Sequence, residues 1–133
     1  MATTLQCTVV TPERKALDQA VDFVALPLYD GEIGIAPGHA PLIGRLGYGE
    51  MRLRRDNQVS RFYVDGGFVQ VVDNQIAVLT AQAVPADQVD EQAAQKRLDA
   101  ARQQPATTPE QLQIRDREIA QARGQLRVAR RAE

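Results

Sequence analysis

The sequence predicts an all-β N-terminal domain of short antiparallel strands, a sandwich or a barrel, followed by a C-terminal antiparallel α-helical hairpin. Up to about Thr80, apolar and polar residues alternate in short runs, with turn residues at roughly 8–12-residue intervals. After Pro85, glycine almost disappears and Ala, Gln, Glu and Arg dominate, which are mostly good helix formers. We therefore predict a β domain over residues 1–85 and a helical domain over residues 86–133.

The first predicted strand shows the alternation most clearly, because Leu5, Cys7 and Val9 are separated by polar residues. The second covers Val21–Leu28, where Pro27 indicates a sheet edge or a bulge. Further strands are predicted around Gly49–Arg54 and over Val59–Val64, Gly67–Val72 and Ile76–Thr80.

Two Asp-Asn pairs, Asp56-Asn57 and Asp73-Asn74, separate consecutive predicted strands. Both residue types tolerate the positive φ of tight hairpin turns, so antiparallel pairing is expected across each pair.

The helical domain contains two start signals and one break. Asp87 is predicted to cap a first helix that runs to about Gln103. A Pro-containing segment then interrupts the pattern, and Thr108-Pro109-Glu110-Gln111 predicts a new start: a Thr N-cap, Pro at the first helical position and Gln three residues after the cap. The short turn makes the two helices antiparallel neighbours.

The apolar seam between these helices is rich in alanine. Its predicted members are Val89, Ala93 or Ala94, Leu98 and Ala101 in the first helix, and Leu112, Ile119, Ala122, Leu126 and Ala129 in the second. Burying an alanine methyl contributes only about 0.8 kcal/mol, against roughly 1.5–3 kcal/mol for a leucine. We therefore infer a detachable hairpin that folds against its own β domain or extends onto a partner.

Composition excludes several classes of protein. Apolar residues make up 44% of the chain, yet no run approaches the roughly 18 needed to cross a membrane. The N-terminal stretch lacks the basic and apolar regions of a secretory signal, and the single Cys7 fits a reducing compartment. With a net charge of −1, which argues against a nucleic-acid binder, the composition predicts a soluble protein facing the cytoplasm.

Candidate catalytic residues are scarce. His39 is the only histidine, and no nucleophile motif accompanies it, so we interpret it as structural or interfacial. Gly31, Gly34 and Gly38 precede no Gly-Lys-Ser/Thr, so we interpret them as tight-turn residues rather than a phosphate loop. Cys7 is interpreted as a core thiol. No catalytic residue, metal site or cofactor is predicted.

Positive charge is concentrated at the C-terminal end, where residues 114–133 carry a net charge of +3. Three interpretations of its arginines stay open: a solvated helix face with favourable charge near the helix C-terminus, a basic arm that docks on an acidic protein surface, or a contact with nucleic acid. The arginines are Arg115, Arg117, Arg123, Arg127, Arg130 and Arg131.

Residues 30–43, DGEIGIAPGHAPLI, closely resemble the signature of F-type ATP synthase ε subunits, a Gly-x-x-Gly-Ile-x-Pro-Gly-His-x-Pro-Leu pattern. Residues 9–14, the Gly66-Gly67-Phe68 step and the Ala-rich hairpin fit in order and spacing, so the resemblance covers essentially the whole chain. It implies a sandwich of about ten strands and a helix–loop–helix. It also implies a non-catalytic central-stalk subunit that couples ATP synthesis to proton transport.

The resemblance implies that the sandwich packs on the γ subunit and touches the proton-translocating c-ring. Asp30, Gly31 and Glu32 would form the ring-contact region, with His39 nearby in the signature loop. The protein would then lie on the cytoplasmic side of the bacterial inner membrane, attached to the membrane only through the complex.

A second implied contact involves the catalytic head of α and β subunits. The C-terminal helices would switch between a folded state and an extended state that enters the head. There the basic face would meet acidic loops of the β subunits and inhibit ATP hydrolysis. Its implied contact residues are Arg123, Arg127, Arg130 and Arg131.

One departure concerns nucleotide binding. Some family members bind ATP through an Ile/Leu-Asp-x-x-Arg-Ala motif at the start of the first helix. Here the stretch is Val89-Asp90-Glu91-Gln92-Ala93-Ala94, which keeps Asp90 but replaces the arginine by alanine. Glutamines at 121 and 125 stand where further arginines are expected. Asp90 is the remaining candidate contact, and the loss of cations for phosphate predicts weak or absent binding.

Two alternatives come from other classes of protein. An accessory protein that binds nucleic acid would use the arginine-rich helix on phosphates, but no aromatic residue is interleaved for base stacking. A small β-barrel enzyme would need a deep polar pocket, which the sequence does not indicate.

Overall fold

A computed structural model describes residues 4–131 of the chain. The first three residues of the N-terminal stretch and the last two of the predicted helical domain lie outside the described residues. The described part contains eight strands and two α-helices. The strands are β1 Leu5–Val10, β2 Lys15–Val21, β3 Phe23–Leu28, β4 Gly31–Ile35, β5 Leu42–Arg55, β6 Gln58–Val72, β7 Gln75–Leu79 and β8 Ala83–Pro85.

The strands form one continuous hydrogen-bonded path in the order β2-β1-β7-β6-β5-β3-β4, with β8 added beside β6. All pairs are antiparallel except β1 with β7. The core contains side chains from every strand from β1 to β7, including Cys7, Leu26, Leu53, Val64 and Val78. The prediction of a β-sandwich of antiparallel strands is confirmed, and so is the core position of Cys7.

Eight strands replace the ten or so that were expected, because β5 and β6 are long and each serves two parts of the fold. On its side away from β5, β6 pairs with β8 along Phe62–Val64 and with β7 along Phe68–Val72. The change of partner falls at Gly66 and Gly67, whose φ angles are +70° and +105°. Two predicted strands, Val59–Val64 and Gly67–Val72, are therefore one strand with a glycine step.

Both Asp-Asn turns are confirmed as two-residue hairpins, which join Arg55 to Gln58 and Val72 to Gln75. Asp56, Asp73 and Asn74 have positive φ. Pro27 lies where the β3–β5 register shifts, so the bulge interpretation holds and the edge interpretation does not, since β3 lies between β4 and β5.

Three strands were not predicted. β2 has weak alternation and is held by pairing with β1, and β8 has only three residues. β4 was interpreted as turns because it contains Gly31 and Gly34. Gly31 and Gly38 have positive φ angles, +158° and +86°, as predicted, whereas Gly34 lies within the strand under the Phe23 ring.

The helices are α1 Glu91–Arg102 and α2 Pro109–Arg131. The prediction that Asp87 caps α1 was wrong, because Asp87 lies in the 3₁₀ turn Ala86–Gln88. Asp90 is the N-cap, and its carboxylate accepts a hydrogen bond from the Ala93 N–H at 3.1 Å.

The predicted start of α2 is confirmed in full. Thr108 Oγ1 accepts from the Gln111 N–H at 3.1 Å, and the Gln111 amide oxygen accepts from the Thr108 N–H at 3.3 Å. This reciprocal pair is a capping box, and Pro109 occupies the first helical position where no intrahelical N–H is needed.

Ala94, Leu98, Ala122 and Leu126 form the buried seam of the helical hairpin, with Ile119 packed against them. Leu112 was placed in this seam by its spacing but is exposed, because it lies near the turn beyond the reach of α1. α2 also packs on β5 and β6, whereas α1 packs mainly on α2. The hairpin is thus attached to the sandwich chiefly through α2.

Candidate functional site

The signature loop that contains His39 connects β4 to β5 and is fixed by local hydrogen bonds. The His39 N–H donates to the Ala36 carbonyl at 3.2 Å, and its Nδ1 lies 2.7 Å from the Ala40 carbonyl oxygen. The Gly38 N–H donates to Asn74 Oδ1 at 2.7 Å, which ties the loop to the β6–β7 turn. His39 is half-buried, and its ring supports the backbone of the loop.

Asp30, Gly31 and Glu32 occupy the exposed β3–β4 turn and the start of β4. His39 follows the other end of that five-residue strand, so the structure does not bring it together with the turn. A strand of this length spans roughly 17 Å. The predicted ring-contact residues therefore lie at two separate corners of the sandwich.

Between these corners lies an exposed apolar patch, which we define as Ile43, Phe68, Val72 and Leu79. Ile43, Phe68 and Leu79 expose 76%, 57% and 55% of their surfaces. Phe68 pairs directly with Leu79 across β6 and β7. Sequence reasoning missed this patch, although large apolar residues at the outward positions of the alternation were its signal.

Tyr29 extends the patch toward the Asp30 turn. The Arg45 guanidinium lies 4.6 Å from the centre of the Tyr29 ring, and Arg45 pairs with Phe68 across β5 and β6. Arg45 therefore links the aromatic residue of the turn to the apolar patch by a cation–π contact.

The four predicted head-contact arginines lie along α2, and three of them have partners within the chain. Arg131 forms an ion pair with Glu50 of β5 at 3.3 Å, and Arg130 with Glu91 of α1 at 3.0 Å. Arg127 donates to the Tyr48 carbonyl at 3.4 Å. Arg123 is exposed and has no hydrogen-bond or ion-pair partner among residues 4–131.

Glu50 is the acidic centre of this contact. Its side chain keeps only 7% of its surface exposed and lies between Arg131 and Arg52, which is 3.1 Å away. The hydrogen bond to Glu50 raises the pKa of Arg52, with Glu32 as a second partner at 3.2 Å. The second Glu50 carboxylate oxygen is buried without a hydrogen-bond partner, so this carboxylate depends on its two cations.

A cleft of about 520 Å³ lies along one side of α2 and is also lined by the β3–β4 turn and β5. Gly31 and Glu32 line one side, and Arg123, Arg127 and Arg131 line the other. The fold thus brings part of the predicted ring-contact turn beside the predicted head-contact arginines, which sequence spacing did not indicate.

Asp90, the candidate nucleotide contact, is committed to capping α1. The neighbouring Arg97 donates to the Gln125 amide oxygen at 3.0 Å, so this cation is engaged between the helices.

Burial raises the pKa of the Cys7 thiol to about 12, with the Asp18 charge as a smaller cause. At pH 8, we expect Ellman's reagent to modify the native chain only as fast as it unfolds, because the thiolate is the nucleophile. The chain in urea should react at once and serves as the control. Rapid stoichiometric modification of the native chain would contradict this expectation.

A family model described as "ATP synthase, Delta/Epsilon chain, beta-sandwich domain" matches residues 4–86. The ATP synthase epsilon chain of Rhodopirellula baltica is 52% identical over 126 residues, which cover 95% of this chain and 98% of that one. The epsilon chain of Desulfitobacterium hafniense is 37% identical, with 96% of each chain covered.

Two solved structures share the fold. A chain in the Euglena gracilis mitochondrial ATP synthase, in a structure of OSCP, F1 and c-ring, superposes with a TM-score of 0.79 at 23% identity and covers 92% of this chain and 78% of its own. A chain of the Tetrahymena thermophila central stalk and c-ring superposes with a TM-score of 0.76 at 15% identity, covering 94% and 96%. The family model and the full-length relatives together show that this chain belongs to the ATP synthase epsilon chain family.

Proposed function

We propose that this chain is a non-catalytic central-stalk subunit of an F-type ATP synthase, which couples ATP synthesis to proton transport and inhibits ATP hydrolysis through its C-terminal helices. The observation that carries the proposal is the match to bacterial epsilon chains over almost the whole chain, helical hairpin included. Two features argue against an active site: the His39 ring is engaged with its own loop, and the Cys7 thiol is buried.

The apolar patch is the proposed contact with the γ subunit. Isolated exposed apolar residues are ordinary on protein surfaces, but a paired Phe68–Leu79 row continued by Ile43 favours a protein partner. Asp30, Gly31 and Glu32 at one corner and His39 at the other are the proposed contacts with the c-ring and γ. No helix within residues 4–131 is long and apolar enough to cross a membrane. We propose that the chain reaches the cytoplasmic side of the inner membrane through the complex.

The basic face of α2 is the proposed contact with the α and β subunits of the head. In the docked hairpin, Glu50 and Glu91 already hold Arg131 and Arg130. These arginines must give up their internal ion pairs to meet acidic loops of a partner, so opening of the hairpin would exchange internal ion pairs for external ones. Arg123 needs no such exchange, because it is already exposed and unpaired within the described chain.

We propose no cofactor and weak or absent nucleotide binding, because Asp90 serves as a helix cap and alanine stands at the motif's arginine position. The nucleic-acid alternative gains no support from the relatives, which are ATP synthase chains. The proposed inhibition also accounts for the basic face without a nucleic-acid ligand.

Removing the hairpin tests the inhibitory role. We expect membranes that carry a chain ending at Gln88 to hydrolyse ATP several-fold faster than membranes with the full chain, with the complex still assembled. This end retains β8 and the buried Ala86, which packs with Tyr63. ATP hydrolysis and subunit content of the membranes are the measurements.

A matched pair of substitutions on α2 separates charge from helix loss. Arg123→Gln should relieve part of the inhibition, whereas Arg117→Gln, at another exposed position with no partner among residues 4–131, should not. If truncation leaves hydrolysis unchanged in an assembled complex, the inhibitory role is wrong. If the full chain is absent from the complex, the stalk assignment itself fails.

A further inference from the structure

α2 approaches the sandwich closely at Gly124. A Cβ placed on Gly124 would lie 2.6 Å from the Tyr48 carbonyl oxygen and 2.9 Å from its carbonyl carbon. Both atoms belong to the β5 backbone and cannot move aside as a flexible side chain would. The helix therefore rests on the strand with no room for any side chain at this position.

Polar and apolar contacts flank Gly124 on the same face of α2. One turn before it, the Gln121 amide donates to the Asp65 carboxylate at 3.2 and 3.3 Å, and the Tyr63 hydroxyl donates to the same carboxylate at 2.7 Å. One turn after it, Val128 packs with Tyr63 and Ala86. Spacings of three and four residues align these positions along one docking face.

This docking face differs from the helix–helix seam. The seam contains Ala94 and Leu98 of α1 against Ala122 and Leu126 of α2. Since α1 packs mainly on α2, the position of α2 on β5 determines the position of the whole hairpin.

Glycine is a poor choice for helix formation in the interior of a 23-residue helix, because it costs more backbone entropy than any other residue. Its presence where α2 meets the Tyr48 backbone indicates that close packing outweighs helix stability there. Because glycine has no side chain, the backbone of α2 can pack directly against the backbone of β5 at this position.

We propose that Gly124 is a positioning residue that controls hairpin release: the absent side chain allows α2 to dock on the Tyr48 backbone, and any larger residue shifts the hairpin toward its undocked state. The docking inference stands on the isolated chain alone. Only its consequence for ATP hydrolysis rests on the proposed function.

Hydrogen–deuterium exchange of the isolated full-length chain tests the proposal. We expect the α2 amides to exchange at least threefold faster in Gly124→Ala and at least tenfold faster in Gly124→Leu, while β1 and β7 amides keep their wild-type rates. Gln113→Ala and Gln113→Leu, at an exposed position of the same helix, are the matched controls and should leave exchange unchanged.

The sign of the effect distinguishes the two roles of the residue. Alanine and leucine favour helices more than glycine does, so a role in helix stability alone predicts slower exchange after substitution. Slower or unchanged exchange in Gly124→Ala would overturn the proposal. If Gly124→Leu unfolds the sandwich as well as the hairpin, the result for Gly124→Ala alone is used to judge the proposal.

Hydrolysis by membranes that carry the same variants is the second readout. Faster α2 exchange with stronger inhibition of hydrolysis supports both the docking inference and the inhibitory role. Faster exchange with unchanged hydrolysis supports the docking inference and contradicts the inhibitory role, so the two ideas fail separately.

Discussion

Replacing Gly67 by alanine is expected to lower the free energy of unfolding by about 3 kcal/mol or more, because two costs combine at this position. Its φ of +105° lies outside the regions that residues with a side chain readily adopt. A Cβ would also lie far inside van der Waals distance of the Leu79 carbonyl oxygen on β7. Relief of this overlap would separate β6 from β7 where Phe68 pairs with Leu79.

Gly38→Ala is the matched control, since Gly38 has a φ of +86° but nothing within 4 Å of an added Cβ. It should show the backbone cost alone, roughly 1–2 kcal/mol. Urea unfolding of both variants measures the difference, with the m-value checked for constancy. Equal losses in the two variants would show that the contact with Leu79 relaxes at no cost.

Reversing the charge of Glu50 is also expected to cause a large loss of stability. Glu50→Lys places a third cation beside Arg52 and Arg131 in a site where the carboxylate is almost fully buried. Breaking a buried pair costs roughly 3–5 kcal/mol, and we expect about 3 kcal/mol, since Arg131 keeps 57% of its side-chain surface exposed. The loss should appear as undocking of the C-terminal end of α2 and as a lower urea midpoint.

Glu32→Lys is the control, because Glu32 pairs with the same Arg52 at 3.2 Å but leaves 55% of its side chain exposed. An exposed ion pair contributes less than about 1 kcal/mol to stability, so Glu32→Lys should lower the free energy of unfolding only slightly. Arg131→Glu added to Glu50→Lys should restore part of the stability. If it restores none, Glu50 acts through Arg52 within the strand and does not hold α2.

Elements with local determinants were predictable. The alternation of Leu5, Cys7 and Val9 places them in the core, since a strand's side chains alternate between faces. The Thr108–Gln111 capping box and the Asp73-Asn74 turn depend on atoms only a few residues apart, so residue types and spacing were enough to predict them.

Elements that depend on contacts with neighbouring elements could not be predicted from the sequence. β2 and β4 carry weak patterns, because they are held by the strands beside them. Asp87 and Asp90 are equally good caps by residue type, and only the 3₁₀ turn that completes the contact with β6 selects Asp90.

For the candidate site, the sequence by itself determined the family signature, the basic face of α2 and the alanine-rich composition of the helical seam. The tertiary structure alone decided that Glu50 receives Arg131 and that Gly124 rests on Tyr48. The reason is physical: charge and helical periodicity are properties of a local segment, whereas burial of a carboxylate and the distance between two backbones arise only when remote segments pack together.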